Sequence, residues 1–378
     1  MSTKDMQQKY TLARHFHEIE AFTLIEVPIY HRSGGNDRLA FVTDIDVLAL
    51  RPNRSFGWDV ILGDCKTGDR VSPVNRSLWL RGLMHSVDAS EGIVLLGNQH
   101  RVEQDHKLYA SEFSVHIYTE SEFGEYDKAI VFPYGSNRST YIPSTQLSLR
   151  QLPRRFDALG NFVNYVFHSS WMEVNHFTTL RKVLGASMGI SGEIDPRKTD
   201  HVALVVLATS VFAVHLAACV GSIFSSFLPS AEKISIEMTL KNLVWGGRDN
   251  YEMALSLRSQ LLEAKGKTSD EPVELVFPYW ENFVDLITVL LENPAAAFRL
   301  PAYFQSFSSD LAGGTDNSER YSKSDLTMLK FAFLTLSYFI KASRWPIQLR
   351  QELEKRLLDI QTQAADRDSS IDPLIPKS

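Results

Sequence analysis

Cysteine is almost missing from this chain: Cys65 and Cys219 are the two in 378 residues. So far apart, they supply neither a disulfide framework nor the paired spacing of a zinc site, and this usage fits a reducing compartment. An apolar run is missing from the first twenty residues, which instead carry Lys4, Asp5, Lys9, Arg14, Glu18 and Glu20. That excludes a secretory signal there and makes the cytoplasm the expected location. A basic tail is missing too. Net charge is −6, and up to Tyr126 there are 13 basic against 18 acidic residues. A nucleic-acid partner would therefore be held by local arginine clusters, not by the field of the whole protein. No internal repeat is visible. What remains is an ordinary globular composition, 44% hydrophobic and 22% charged, in a chain long enough for two domains.

Two textures divide it. Up to about Tyr126, short apolar or alternating runs are separated by turn residues, the pattern of mixed α and β structure. Leu12, Phe16 and Ile19 have helical spacing. Phe22 to His31 and Leu39 to Leu50 read as a hairpin around Ser33-Gly34-Gly35-Asn36, and Trp58 to Lys66 as a third strand. Ser72-Pro73 marks an N-cap and first helical position, opening a helix to about His85 with Val74, Leu78 and Trp79 available to a core. A strand at Gly92 to Gly97, a helix at Val102 to Phe113 and a strand at Val115 to Thr119 complete the order αβββαβαβ.

Residues 132–153, rich in Pro, Ser and Asn and without period, read as a linker between a domain over 1–131 and an all-helical domain over 154–365, with 366–378 a fraying tail. The helical domain would regulate the first, recognise a target, or bind a protein partner or a second copy. Its segment Val202 to Leu228 carries no formal charge and is long enough to cross a bilayer. His215 and several Ser and Thr within it favour a buried central helix, with a membrane-anchored sensor as the alternative.

On a strand, residues two apart share a face. Asp44 and Asp46 point together, as do Asp64 and Lys66, with Cys65 directed to the opposite layer. If the two strands pair as their apolar residues favour, Asp46 and Asp64 converge beside Lys66. Two carboxylates without an intervening base attract a divalent cation on oxygen ligands, Mg²⁺ or Mn²⁺, and a lysine alongside can orient or deprotonate a bound water. Such a kit suits phosphodiester hydrolysis.

Thr43-Asp44-Ile45-Asp46-Val47-Leu48-Ala49, followed by Asp64-Cys65-Lys66 at the end of an apolar strand, resembles the PD-(D/E)xK superfamily of restriction-endonuclease-like nucleases. The order of elements over residues 8 to 126 matches as well, and Leu108 to Tyr118 is similar to the helix-to-strand passage of its resolvase-like and type IV restriction branches. The resemblance implies a metal-dependent endonuclease acting on DNA, with Asp46 and Asp64 as metal ligands and Lys66 assisting the water. A part in defence against foreign DNA would follow by analogy of fold. A catalytically silent scaffold that binds nucleic acid or a protein is the rival reading. The family usually adds a glutamate from the first helix, and that window here holds Gln8, Lys9, Tyr10 and Thr11. Gln8 is the expected substitute ligand and Glu18 the next. Arg51, Arg54, Arg70, Arg76 and Arg81 adjoin the site in sequence and are the expected phosphate contacts.

Two further patterns carry no chemistry. His15 and His17 lie on opposite sides of a helix and read as surface residues. Gly185-Ala186-Ser187-Met188-Gly189 fits G-x-S-x-G but lacks the preceding buried strand of a nucleophile elbow, so a loop between helices is expected there.

Overall fold

The computed structural model describes residues 3–32, 39–68, 71–131, 141–173, 175–227, 233–264, 276–315 and 326–370. The chain forms two compact units, one comprising Met1–Met172 and Pro301–Asn317, the other Glu173–Leu300 and Ser318–Ser378.

The first unit is built on a five-stranded mixed sheet in the order β1 (Phe22–Arg32), β2 (Leu39–Pro52), β3 (Trp58–Lys66), β4 (Glu91–Leu96), β5 (Val115–Thr119). The first three strands are antiparallel and the last two pairings parallel. Helices α1 (Thr3–Glu18) and α4 (Glu120–Val131) pack on one face, α2 (Pro73–Ser86) and α3 (Gln104–Ser111) on the other. Leu12 and Phe16 of α1 enter a core with Val47, Ile61, Cys65, Ile93 and Phe123. Two glycines set how closely the helices approach. A Cβ on Gly63 would stand 2.4 Å from Leu12 Cδ2 of α1, and one on Gly92 would stand 2.8 Å from Met84 Sδ of α2. Ser72 caps α2 by accepting the Asn75 N–H. The helix turns Ser77, Leu80, Leu83 and Met84 inward and leaves Leu78 exposed, a rotation from the face expected.

Helix α4 was not foreseen. It changes the reading of His15, which is buried against Phe123 and Tyr126 and bonded through Nδ1 to Asp127 Oδ1 at 2.6 Å. His17 is also buried, stacked on Tyr141 and hydrogen-bonded to Ser306. Neither is a surface residue, because a wall of aromatic side chains covers the helix on both flanks.

Within 132–153, residues 132–140 lie outside the described residues. The rest is packed: Tyr141, Leu149 and Leu152 are buried and Ser144–Arg150 is helix α5. Further short turns, including helix α6 (Gly160–Asn164), lead to Met172. Among the described residues no sixth strand pairs with the outer edge of β1. Gln305 accepts the Thr23 N–H at 3.0 Å and donates back to the Thr23 carbonyl, Gln146 donates to that carbonyl at 2.7 Å and accepts the Ile25 N–H at 3.3 Å, and Arg150 donates to the carbonyls of Ile25 and Glu26. These side chains take the place of a strand along the open edge. Gln305 belongs to the helix Pro294–Gly313, whose residues from Pro301 onward are part of the first unit.

The second unit is helical. Helix α7 (His176–Gly189) runs through the G-x-S-x-G segment, so the expected loop there is a helix, with the buried Ser187 hydroxyl donating to the Val183 carbonyl. Helix α8 (Thr199–Phe227) is apolar and long enough to cross a membrane, and its apolar window lies wholly buried in the protein. Its Phe212 stacks on Phe339, and His215 Nδ1 lies 2.9 Å from His176 Nδ1.

Candidate functional site

Three adjacent strands each place one carboxylate in a single lateral row. Ile25 pairs with Val47 and Val27 with Ile45, so Glu26 stands opposite Asp46; Val47 pairs with Gly63, so the next step puts Asp46 opposite Asp64. The β2–β3 ladder stops at Val47, whereas β3 continues beside β4 as far as Lys66. Strand β2 therefore leaves β3 at Asp46, and the Asp46 side chain bridges the opening by accepting the Cys65 N–H at 2.7 Å.

Cations fill the gaps between the acids. Lys9 of α1 puts its ammonium 2.9 Å from Asp46, 3.1 Å from Glu26 and 3.3 Å from Asp5. Lys66 lies 3.4 Å from Asp46 and 3.1 Å from Asp64. Arg76 of α2 grips Asp64 with two nitrogens, Nε at 2.8 Å from Oδ2 and Nη2 on Oδ1, while its guanidinium stacks over Trp79. The row reads Glu26, Lys9, Asp46, Lys66, Asp64, Arg76, with charge alternating at every step. Without the bases, like charges on neighbouring strands would repel and be driven to take up protons.

Burial opposes the charge on Lys9, yet Asp46, Glu26 and Asp5 hold its ammonium above the ordinary lysine range. Lys66 is raised in the same way, burial opposing and Asp64 and then Asp46 outweighing it. Lys66 is therefore an ammonium at neutral pH and takes its place in the row as a cation. Burial pushes the Cys65 thiol well above its usual range, which leaves it a poor nucleophile.

The structure thus brings Asp46, Asp64, Lys66 and Arg76 together and leaves the other expected contacts elsewhere. Gln8 does not meet the acids at Asp46: its amide nitrogen donates to Glu120 at 2.9 Å, and its oxygen is buried without a partner. The residue of the first helix that reaches Asp46 is Lys9. Glu18 is nine positions farther along α1, about 14 Å at the helical rise, too far to share a ligand set with it. Arg51 lies five residues along β2 from Asp46, about 17 Å away, ion-paired with Asp59 and Glu91. Arg54 occupies the exposed turn beyond it. Arg81 is exposed on α2 and turned about 140° from Arg76. Arg70 lies outside the described residues.

Lys9 and Glu26 are the members that the sequence did not point to. Glu26 has φ +51, a left-handed backbone rare for a glutamate in a strand, and such strain gathers where a side chain must be aimed. For Lys9 the one available signal was Asp5 a helical turn before it.

The divalent ion implied by the family resemblance fits this donor set. Asp46 and Asp64 offer hard carboxylate oxygens on either side of one ammonium, and Mg²⁺ commonly takes one or two protein carboxylates while keeping water. Among the described residues no three histidine, cysteine or acidic side chains are grouped to hold a metal, and the resemblance implies these two as its protein ligands. Comparison of the chain with protein-family models, with curated proteins and with solved structures finds no match.

Proposed function

We propose that Asp46, Asp64 and Lys66 form the site of a restriction-endonuclease-like enzyme that hydrolyses DNA phosphodiester bonds with Mg²⁺ or Mn²⁺. The observation that carries this reading is the pair Asp46 and Asp64, opposite each other where two strands separate, sharing the one ammonium of Lys66. A bound divalent ion would lower the pKa of a coordinated water and offset charge on the phosphate. The protein does the rest. Asp46 and Asp64 would hold the ion, and Lys66, whose side chain is 34% exposed, is open to a phosphate oxygen and can stabilise the charge that develops there. Arg76 fixes the rotamer of Asp64 through its two-pronged grip. The helical unit would then supply target recognition, regulation or assembly in a cytoplasmic system directed against foreign DNA.

Supercoiled plasmid incubated with the protein in Mg²⁺, Mn²⁺ or EDTA tests this. Nicking or linearisation with metal, lost in EDTA and in Lys66→Ala, is the expected result. Cleavage that persists in EDTA or in Lys66→Ala overturns it.

A second reading, the silent nucleic-acid-binding scaffold, is favoured by one observation: both oxygens of Asp64 are engaged by Arg76, and those of Asp46 by Lys9 and the Cys65 N–H. Retarded DNA migration in gels without cleavage under any metal would select it.

A further inference from the structure

Lys9 has three ammonium protons and three carboxylates around it, Asp5, Glu26 and Asp46, all within 3.3 Å. Its side chain is 3% exposed. An ammonium buried to this degree is held by the groups that surround it and has no solvent to fall back on. The surroundings are also arranged around it. Glu26 adopts its positive φ at this point, and Arg150 holds the neighbouring carbonyls of Ile25 and Glu26, which fixes the strand in that conformation. Asp5 comes from one turn earlier on the same helix as Lys9.

We infer that Lys9 is a built-in cation: it fills, among Asp5, Glu26 and Asp46, a position that a divalent ion would otherwise occupy, and so confines exchangeable metal to the side of Asp46 that faces Asp64. The second half of this inference rests on the nuclease reading above; the first half does not. The distances agree with an ammonium. Carboxylate oxygens at 2.9 to 3.3 Å surround a nitrogen cation, whereas Mg²⁺ draws its ligands to about 2.1 Å and Ca²⁺ to about 2.3–2.6 Å. With Lys9 present the three acids stand too far apart for a metal. With Lys9 removed they carry three negative charges around the vacated position, Lys66 remaining on the far side of Asp46, and an inward movement of roughly 1 Å each would close them on a divalent ion. Lys9 is thus a positioning residue for Asp46, acting through the carboxylate it holds.

Mn²⁺ titration, followed by the paramagnetic resonance signal of the free ion, tests the inference on the full chain. Lys9→Met is expected to bind one Mn²⁺ more than the wild type, or to bind at least tenfold more tightly. Lys9→Arg, which keeps the cation, is expected to match the wild type. Adding Glu26→Gln to Lys9→Met is expected to remove the gain. If Lys9→Met is unfolded without metal, Mn²⁺ should restore its circular dichroism where NaCl of equal ionic strength does not. A folded Lys9→Met with wild-type stoichiometry and affinity overturns the inference, as does an unfolded one that Mn²⁺ fails to rescue. The gain is counted relative to the wild type, so it is read whether or not the wild type cleaves DNA. A wild type that binds no Mn²⁺ while Lys9→Met binds one would sink the nuclease proposal and leave the role of Lys9 standing.

Discussion

Arg76 and Asp64 form a two-pronged ion pair in which the carboxylate is almost wholly enclosed, at 1% exposure, and the guanidinium carbon lies 4.0 Å from the centroid of the Trp79 ring. A strand-surface aspartate expected from sequence alternation would be cheap to remove; this one is not. Deleting Asp64 leaves a guanidinium that is 24% exposed without its carboxylate, at about 1–3 kcal/mol. Asp64→Ala should therefore lower stability by about that amount as well as abolish cleavage. Lys66→Ala, at a third exposed, should cost about 1 kcal/mol or less while also abolishing cleavage. Urea unfolding of the two variants beside the plasmid assay checks both. Equal destabilisation would mean that Arg76 does not depend on Asp64.

Gly63 and Gly82 make a matched pair for packing. A methyl at Gly63 would press into Leu12, which is fully enclosed, so Gly63→Ala should destabilise by about 1–3 kcal/mol. At Gly82, exposed on α2, nothing lies within 4 Å of an added Cβ. Gly82→Ala should stabilise by about 0.5–1 kcal/mol through helix propensity. Thermal midpoints moving in opposite directions are the expected result; a neutral Gly63→Ala would mean that α1 packs less closely on β3 than described.

The edge of β1 gives a third expectation. Gln305→Leu keeps the side-chain bulk but removes the acceptor for the Thr23 N–H and hydroxyl and one donor to its carbonyl. Leaving buried backbone groups less satisfied should cost about 1–3 kcal/mol, and a bared strand edge should raise light scattering on mild heating. Unchanged stability and scattering would show that Gln146 alone suffices.

Acid should weaken the first unit through His168. Burial, and after it the charge of Arg150, depresses this imidazole from 6.5 to about 4. The native state therefore carries a neutral ring where the unfolded chain takes up a proton, so stability falls as pH drops from about 6.5 towards 4. Denaturation midpoints at pH 7, 5.5 and 4 should fall less steeply for His168→Gln than for the wild type. Identical slopes would place the acid sensitivity in other groups.

How much of this could be read in advance follows the range of each interaction. The strands around Asp46 and Asp64 were legible because alternation and turn residues act over a few positions, and the same holds for the Ser72 cap. Helix α4 is weakly signalled because Glu120 to Val131 places only Phe123 and Tyr126 ahead of its last turn, and its burial comes from Phe123 meeting His15 of the first helix. Lys9 was not legible as a partner of Glu26, since that contact depends on one unusual φ in a strand. Arg51 stands apart from the acids because closeness in sequence along an extended strand becomes distance in space: Asp46 lies at the middle of β2 and Arg51 near its end.

The strand edge closed by Gln146 and Gln305 also imposes an order in time. Synthesis runs from the N-terminus, so the five strands of the sheet emerge from the ribosome long before residue 305 does. Until then β1 must keep its amides occupied by water, by a chaperone or by the wrong strand. A truncated message ending near residue 131 would yield a sheet whose flank is permanently unsealed, so the α/β body, although continuous in appearance, is finished only by a stretch of helix translated well after it.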